Sequence, residues 1–274
     1  MLSGKKVGII GVGKLGEAIA LGLMKNGALG ASDIFGSAKR DGSLERIRSK
    51  VGIEALASNK DLVTKSDIVI LAVKPQNVAN VCADIRTALK PTQLIISVAA
   101  SVTTSYIERH LQADVPVIRA MPNTPSLINA GMTAICGGKF ATKEHLALAK
   151  EIFESVGLVV ELDESLFDGV TALSASGPAY IYVVIESLAE AGVKLGIPRD
   201  ISTLLAAQTM LGSAKLVLET KQHPALLKDS VTTPAGCTID GLLELEDGRL
   251  RVTLIKAVVK AAERASQLVS GGCE

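Results

Sequence analysis

The stretch Lys6-Val-Gly-Ile-Ile-Gly-Val-Gly-Lys-Leu-Gly16 decides the fold of this chain. A short apolar run stands directly before a GxGxxG pattern, and a helix-like segment runs from the glycines to about Asn26. In a strand–turn–helix unit of this kind, Gly11 permits the tight turn and Gly13 lets the backbone approach a pyrophosphate. Gly16 then allows the helix to pack closely on the strand. The pattern in this context predicts a dinucleotide-binding unit.

The backbone N–H groups of this turn and the positive end of the helix dipole form an anion site. We therefore expect the phosphates of a nucleotide coenzyme to contact six consecutive residues, Gly11, Val12, Gly13, Lys14, Leu15 and Gly16. A glycine-rich turn that binds no ligand is the alternative.

Strand-like and helix-like segments alternate outward from this unit as far as about residue 164. After residues 6–11, the further predicted strands are residues 33–36, 52–56, 68–73, 94–99, 117–121, 132–136 and 158–161. The predicted helices between them are residues 15–26, 44–50, 75–89, 103–111 and 143–156. Strands that are apolar on both faces and are joined by crossover helices predict an α/β fold, a Rossmann-type doubly wound parallel sheet.

Beyond residue 164 the strand pattern stops, and helical patterns cover residues 166–195, 199–221 and 250–269. The Gly-Pro pair after Ser176 predicts a kink or break in the first of these. We therefore predict a nucleotide-binding domain over residues 1–164 and an all-α domain over residues 165–274. Because the helices are so rich in Ala and Leu, we expect them to bury apolar surface against a second subunit. A self-contained bundle folded back on the sheet is the alternative.

The composition narrows the classes of partner. The chain has 274 residues, with 29 Lys and Arg against 28 Asp and Glu, so its formal charge is +1. This balance argues against a nucleic-acid groove or a polybasic membrane patch. Apolar residues make up 48% of the chain but aromatic residues only 3%, which argues against stacking platforms for bases or sugars.

Cysteine usage and hydropathy predict the compartment. The four cysteines, at positions 82, 136, 237 and 273, form no CxxC pair, so we expect a reduced intracellular protein with no metal site. The longest apolar runs have the length of strands, so we expect no membrane span. The first strand begins within a few residues of Met1, which leaves no room for a signal peptide. These features together predict a cytoplasmic protein.

Residues after the second and later strands extend the expected coenzyme site. Ser37-Ala-Lys39-Arg40 supplies a hydroxyl and two cations where an NAD-binding protein usually has an acid, which favours NADPH with its 2′-phosphate. Lys39 and Arg40 as solvated loop residues are the alternative. Ala72, Val73, Lys74, Pro75 and Ala100 follow two buried strands at the edge where open α/β sheets bind ligands. For Lys74, a surface lysine at a helix start is an equally good interpretation.

A hydroxyl-rich segment stands out in the second half, Asp229-Ser-Val-Thr-Thr-Pro-Ala-Gly-Cys-Thr-Ile-Asp-Gly241. It precedes an apolar Leu pair at 242–243, so we expect a loop that leads into a helix N-terminus. Free N–H groups there can hold a carboxylate, and the hydroxyl of Thr233 or Thr238 can bond a reacting heteroatom. An ordinary helix capped by Thr238 is the alternative.

Five motifs together closely resemble the pyrroline-5-carboxylate reductase family, and the likeness covers essentially the whole chain. Residues 224–244 match the family signature, which is far more specific than GxGxxG. With no N-terminal extension, the chain is most similar to the short, cytosolic, mammalian-type members. The motifs are Gly11 to Gly16, Ala72-Val-Lys-Pro75, Arg119-Ala-Met-Pro-Asn-Thr-Pro125, Ser174-Ala-Ser-Gly-Pro-Ala-Tyr180 and Thr232-Thr-Pro-Ala-Gly-Cys-Thr238.

The resemblance implies NAD(P)H-dependent reduction of 1-pyrroline-5-carboxylate to L-proline. Because of residues 37–40, NADPH is the expected coenzyme, and NADH is possible. It adds Asn59 to the coenzyme site and assigns the substrate to Thr232, Thr233, Gly236, Cys237 and Thr238. Thr238 would hydrogen-bond the ring nitrogen and act as the catalytic residue. The resemblance further implies a homodimer formed through the helical domain and assembled into a decamer.

One position departs from the family pattern. Cys237 stands before the key threonine, where Ala, Gly or Thr is expected. A small buried residue is the favoured interpretation, and a redox-sensitive thiol is the alternative.

Two other functions are compatible with a dinucleotide-binding domain followed by a helical domain. A 3-hydroxyacid or ketopantoate-type reductase would need a catalytic Lys in the helical domain with a supporting Asn, and neither Lys194 nor Lys215 has one at helical spacing. A sensor that binds NAD(P)H without turnover would not need the hydroxyl-rich segment. We find no His/Asp or Cys/His pair for acid–base chemistry, and a protonated cyclic imine does not require one, since positioning dominates its reduction.

Overall fold

The computed structural model describes residues 1–39 and 42–271, with side chains described as far as residue 267. The chain forms two compact units, the first from Met1–Ser176 with Ala261–Glu274 and the second from Gly177–Lys260. The last strand ends at Glu161, and only helices follow it among the described residues. The domain boundary at residue 164 stays a prediction.

The first unit contains one eight-stranded sheet, and every predicted strand is present in it. The strand order is β3-β2-β1-β4-β5-β6-β7-β8, the pattern of a doubly wound fold. The strands are β1 (Val7–Ile10), β2 (Ile34–Ser37), β3 (Glu54–Leu56), β4 (Ile68–Leu71), β5 (Leu94–Ser97), β6 (Val117–Met121), β7 (Gly131–Gly137) and β8 (Gly157–Glu161). The Rossmann-type sheet followed by a helical region is therefore confirmed.

The sheet is not parallel throughout, in contrast to the sequence prediction. The strands from β3 to β6 run parallel, but β7 pairs antiparallel with β6, and β8 then runs parallel to β7. Residues 122–130 join β6 to β7 and contain only one short 3₁₀ turn, Thr124–Ile128. A parallel return needs a crossover of a dozen or more residues, so this connection is too short for one.

Helices cover both faces of the sheet because its strands are apolar on both faces. Along β4, Ile68 and Ile70 belong to one buried cluster, whereas Val69 and Leu71 belong to another. The helices of the first unit, apart from the end of the last helix of the chain, are α1 (Lys14–Lys25), α2 (Ser43–Arg46), α3 (Asn59–Lys65), α4 (Val78–Ile85), α5 (Thr104–Leu111), α6 (Lys143–Glu154) and α7 (Phe167–Val170). Of these, α3 has no counterpart among the predicted helices.

The second unit is entirely helical. The predicted break at the Gly-Pro pair is present, since a short π-helix over Thr171–Ala175 and a bend at Ser176 precede the next helix. Helix α10 was not predicted, whereas α11 was expected as the helix that follows the hydroxyl-rich segment. The helices are α8 (Gly177–Lys194), α9 (Arg199–Thr220), α10 (Pro224–Ser230), α11 (Cys237–Asp247) and α12 (Leu250–Gly271), the last of which continues into the first unit.

The second unit buries few of its own side chains. Helices α8 and α9 pack through small residues, with the Ser202 hydroxyl donating to the Ala189 carbonyl oxygen at 2.7 Å. Large apolar residues on the same helices stay exposed, including Leu188 at 47% and Leu204 at 63%. Two helical stretches, Glu164–Lys194 and Arg199–Thr220, are long and apolar enough to cross a membrane, with 11% of each apolar window buried. The absence of a membrane span therefore stays a prediction.

Candidate functional site

A cavity of about 690 Å³ opens at the carboxyl ends of β1, β2 and β4, beside the glycine turn. This edge of an open α/β sheet is where such folds bind ligands. The cavity brings together nine of the residues predicted for the coenzyme, namely Gly11, Val12, Gly13, Lys14, Ser37, Lys39, Asn59, Val73 and Lys74. Leu15, Gly16, Ala72, Pro75 and Ala100 are not among its lining residues.

The glycine turn leaves room for a phosphate at one position only. A Cβ atom built on Gly11, which has φ +89°, would lie 2.6 Å from Cγ1 of Val73. A Cβ on Gly16 would lie 3.0 Å from Cγ2 of Ile9 on β1, as expected for close helix–strand packing. On Gly13 the nearest atom would be the Gly11 carbonyl oxygen at 4.0 Å, so that Cβ would fill open space. This open space lies beside the first turn of α1, where the sequence predicts the pyrophosphate.

The available amide donors are fewer than the sequence suggested. The N–H groups of Gly11 and Val12 both donate to the Ser37 carbonyl oxygen, at 2.9 and 3.0 Å. The first intrahelical bond of α1 runs from the Glu17 N–H to the Gly13 carbonyl. Helix geometry therefore leaves the N–H groups of Lys14, Leu15 and Gly16 without intrahelical acceptors. We expect these three donors and the helix dipole to form the anion site.

Ser37, at the end of β2, is 2% exposed and its hydroxyl donates to Oδ1 of Asn59 at 2.8 Å. The Asn59 amide in turn donates from Nδ2 to Oδ2 of Asp84 at 3.0 Å. The sequence prediction treated the Ser37 hydroxyl as a partner for a 2′-phosphate, but in this geometry its proton is already donated. Asp84, on α4, is a site residue that sequence reasoning missed.

Two cations, Lys39 and Arg46, line the main cavity together with Ser37 and Asn59. Lys39 lines the main cavity and also a second cavity of about 560 Å³, whose lining includes Asn59 and Asp84. Arg40, predicted to act with Lys39, lies outside the described residues. Arg46 on α2 was missed: its Nη2 donates to the Val12 carbonyl oxygen at 2.8 Å, and its Nη1 pairs with Glu17. The sequence signal for Arg46 was weak because it follows the second strand by nine residues.

The far end of the site is built from residues after β4 and β5. Val73 packs against the glycine turn, and the Ala72 carbonyl oxygen would lie 2.9 Å from a Cβ on Gly11. Lys74 is the N-cap of the 3₁₀ turn Pro75–Asn77, and Ala100 lies in an exposed turn. Gln76, Asn77 and Val81 also line the main cavity.

A buried ion pair stabilises the region around the Arg119 motif. Arg119, on β6, is 2% exposed, and its Nη1 lies 3.2 Å from Oε1 of Glu164. The same carboxylate accepts from the backbone N–H of Thr104 at 2.8 Å and from its hydroxyl at 2.7 Å. The guanidinium also lies 4.6 Å from the centre of the Phe167 ring. Arg119 therefore joins β6 to the start of α5 and to the beginning of α7.

The hydroxyl-rich segment of the second unit differs in part from its prediction. Helix α11 begins at Cys237 and not near residue 242, with Gly236 as its N-cap. Thr238 is therefore the second residue of the helix, and the alternative that made it the cap is wrong. A Cβ on Gly236 would lie 2.3 Å from Oγ1 of Thr233, which explains the absence of a side chain at the cap. Helix geometry leaves the N–H groups of Cys237 and Thr238 free of intrahelical acceptors.

The other residues of this segment have structural partners. The Thr232 hydroxyl donates to the Lys228 carbonyl oxygen at 2.9 Å, and the Thr233 carbonyl accepts from the Gly236 N–H at 3.0 Å. Cys237 is exposed, in contrast to the favoured interpretation of a small buried residue. The described residues contain no group of three or more His, Cys, Asp or Glu side chains suited to a metal ion.

Comparisons with known proteins match both parts of the chain. Residues 6–101 match a family described as NADP oxidoreductase coenzyme F420-dependent, and residues 164–268 match one described as pyrroline-5-carboxylate reductase dimerisation. A pyrroline-5-carboxylate reductase of Methanosarcina acetivorans is 42% identical, over 97% of this chain and 99% of the relative. The narrower likeness to mammalian-type members stays a prediction.

Solved structures agree with this likeness. A pyrroline-5-carboxylate reductase from Coxiella burnetii superposes with a TM-score of 0.91 at 37% identity, covering 96% of this chain and 98% of the other. The Plasmodium falciparum pyrroline carboxylate reductase with NADP bound has a TM-score of 0.87 at 31% identity, covering 97% and 98%. From these full-length matches, we conclude that the chain belongs to the pyrroline-5-carboxylate reductase family.

Proposed function

We propose that the chain catalyses the NAD(P)H-dependent reduction of 1-pyrroline-5-carboxylate to L-proline, the final step of proline biosynthesis. The observation that carries the proposal is the 42% identity to a named reductase over nearly the full length of both chains. The open space at Gly13 supports it independently, because with no side chain there the backbone is open to a pyrophosphate.

The coenzyme is assigned to the cavity beside the glycine turn. The first-turn amides of α1 would hold its pyrophosphate, and Ser37 and Asn59 would face its adenosine ribose. Ala72, Val73, Lys74, Pro75 and Ala100 form the end of the site that receives the nicotinamide. When bound, the reduced nicotinamide supplies the hydride. The preference for NADPH stays a prediction that depends on Lys39 and Arg40.

The substrate is assigned to residues 232–238. The free N–H groups of Cys237 and Thr238, at the start of α11, hold the substrate carboxylate. Thr232 and Thr233 shape the segment, and Gly236 keeps the approach open. The Thr238 hydroxyl orients the ring nitrogen of the imine, which carries the proton while hydride adds to the imine carbon. The product is a secondary amine that keeps this proton, so no strong general acid is needed.

A homo-oligomer acting on a small molecule follows from the family's dimerisation region, which matches residues 164–268. We infer that the homodimer forms through the helical domain, because exposed side chains such as Leu195, Leu204 and Leu211 would otherwise face water. Assembly to a decamer and a cytoplasmic location are further proposals. Light scattering of the purified protein tests the assembly to a decamer, since a dimer and a decamer differ fivefold in mass.

The proposed reaction is tested by following oxidation of the reduced coenzyme with 1-pyrroline-5-carboxylate and detecting proline. A 3-hydroxyacid or ketopantoate-type reductase would oxidise the coenzyme only with its own substrate, and a sensor would bind the coenzyme without turnover. Thr238→Ala should lower kcat/KM by about 10- to 100-fold, the effect of one hydrogen bond to a charged group. Thr238→Ser should retain most activity, and Thr253→Ala, on the exposed side of α12, serves as the control. Unchanged kinetics of a folded Thr238→Ala protein would remove Thr238 from the mechanism.

A further inference from the structure

Three polar side chains in series lie beside the coenzyme cavity. Ser37 Oγ, Asn59 Oδ1, Asn59 Nδ2 and Asp84 Oδ2 are joined by hydrogen bonds of 2.8 and 3.0 Å. Ser37 and Asn59 line the main cavity, whereas Asn59 and Asp84 line the second cavity, which also shares Lys39. The series therefore connects a carboxylate on α4 with the end of β2, where the adenosine ribose of a dinucleotide lies in this fold.

Asp84 determines which way the Asn59 amide points. A carboxylate only accepts hydrogen bonds, and an amide has one accepting and one donating end. If the amide were reversed, two oxygens would face each other at about 3 Å with no proton between them. The Asn59 carbonyl oxygen must therefore face Ser37, and the Ser37 hydroxyl must donate its single proton to it.

This arrangement leaves Ser37 able only to accept. A ribose 2′-hydroxyl can donate to the free lone pairs of Ser37. A 2′-phosphate, which has acceptor oxygens and a charge of about −1.5 to −2, meets lone pairs there and the Asp84 carboxylate in the neighbouring cavity. Lys39, which lines both cavities, has the opposite effect because its ammonium attracts the phosphate.

We propose that Asp84 is a positioning residue for coenzyme specificity: through Asn59, it lowers affinity for a 2′-phosphate relative to a 2′-hydroxyl and so keeps NADH an accepted coenzyme. The inference rests on the proposed function only in placing the adenosine ribose at the end of β2. It applies whichever coenzyme the whole protein prefers, because it concerns the ratio of two affinities.

The test is equilibrium binding to the full-length protein. Dissociation constants for NADPH and NADH are measured by titration calorimetry for the parent protein and for Asp84→Asn. With a neutral amide at position 84, Asn59 is free to reverse and to offer its N–H to a phosphate. The ratio Kd(NADH)/Kd(NADPH) should rise by about 10-fold, the magnitude of one hydrogen bond to a charged group. Adenosine 2′,5′-bisphosphate and AMP should show the same change in ratio without any nicotinamide.

Two further variants separate orientation from simple charge. Asp61→Asn removes the same charge from the first turn of α3, and Asp61 is not among the described residues that line either cavity. The ratio Kd(NADH)/Kd(NADPH) of this variant should therefore stay within about twofold of the parent value. In an Asn59→Ala background, Asp84→Asn should change the ratio no more than Asp61→Asn does. If Asp84→Asn still raised this ratio by about 10-fold in the Asn59→Ala background, the positioning role would be overturned, since Asp84 would then act directly on the phosphate.

Ser37→Ala provides an independent measurement should Asp84→Asn fold poorly. Loss of the accepting oxygen should raise Kd for NADH by about 3- to 10-fold and Kd for NADPH by less. An unchanged ratio in both Asp84→Asn and Ser37→Ala would overturn the inference while leaving the proposed reaction intact. Failure of the parent protein to bind either coenzyme would instead overturn the proposed function, and with it the placement of the ribose.

Discussion

Replacing each glycine of the coenzyme turn by alanine should separate folding from binding. Gly13 has φ −100° and ψ −160°, a conformation open to any residue, and an added Cβ would meet no protein atom closer than 4.0 Å. Gly13→Ala should therefore change the free energy of unfolding by no more than about 0.5 kcal/mol, and a small stabilisation is expected because alanine restricts the unfolded chain.

The same methyl group should weaken coenzyme binding strongly. It would occupy the space beside the first-turn amides of α1 and hold a phosphate away from them. Losing one hydrogen bond from these amides to a charged phosphate costs about 1.5 to 3 kcal/mol, or roughly a 10- to 150-fold increase in Kd. NADPH and NADH should be affected alike, because both have the same pyrophosphate.

Gly11→Ala and Gly16→Ala are the matched controls. At Gly11 the left-handed φ of +89° and the 2.6 Å approach to Val73 should together destabilise the fold by about 2 kcal/mol or more. At Gly16 the 3.0 Å contact with Ile9 should cost about 1 to 3 kcal/mol. Urea unfolding without coenzyme and calorimetric titration with it give the two quantities. Normal coenzyme affinity in Gly13→Ala would refute the placement of the pyrophosphate, and instability like that of Gly11→Ala would refute the geometry.

Three further outcomes are expected. Lys39→Ala should raise KM for NADPH about 10-fold and KM for NADH by much less, in steady-state kinetics; an equal effect on both would contradict a phosphate contact. Glu164→Ala should lower the free energy of unfolding by about 3 kcal/mol in urea, since it leaves the Arg119 charge buried and unpaired, whereas a loss under 1 kcal/mol would show that the pair is dispensable. Burial raises the pKa of both the Cys82 and Cys136 thiols to about 12. At pH 9, alkylation of these two thiols should therefore be about 1,000-fold slower in the native protein than in the protein unfolded in urea. Mass spectrometry measures the rate at each site. Labelling of these two sites at the unfolded rate would contradict their burial.

The strands could be predicted from the sequence because their signal is local. Each buried strand is a short apolar run bounded by turn residues, and all eight were found in this way. Strand direction is not local: β7 reverses because the connection after Met121 is too short for a crossover. Helix α3 was missed because it is short and buries only Leu62 and Val63, which gives little periodicity. The start of α11 was misplaced because Gly236, its N-cap, provides no side-chain cap.

The candidate site likewise contains residues that could be predicted from the sequence and residues that could not. The glycines could be predicted because the backbone itself imposes their spacing. Asp84 could not, because on the exposed surface of α4 a single carboxylate resembles any solvated residue until its partner on α3 is known. Arg46 escaped notice for the same reason, since its contact is a carbonyl oxygen at Val12, 34 positions away. Polar contacts between distant residues depend on the fold and leave no pattern in the sequence.

Ser37 joins two features of the site that could otherwise be varied separately. Its carbonyl oxygen accepts from the amides of Gly11 and Val12 and so fixes the shape of the turn, whereas its hydroxyl donates to Asn59 and so sets what the ribose encounters. Because every amino acid has a backbone carbonyl, substitutions at position 37 should alter coenzyme choice without altering the turn. We therefore expect substitutions at Ser37, Asn59 and Asp84 to change coenzyme specificity while the proposed pyrophosphate site stays intact.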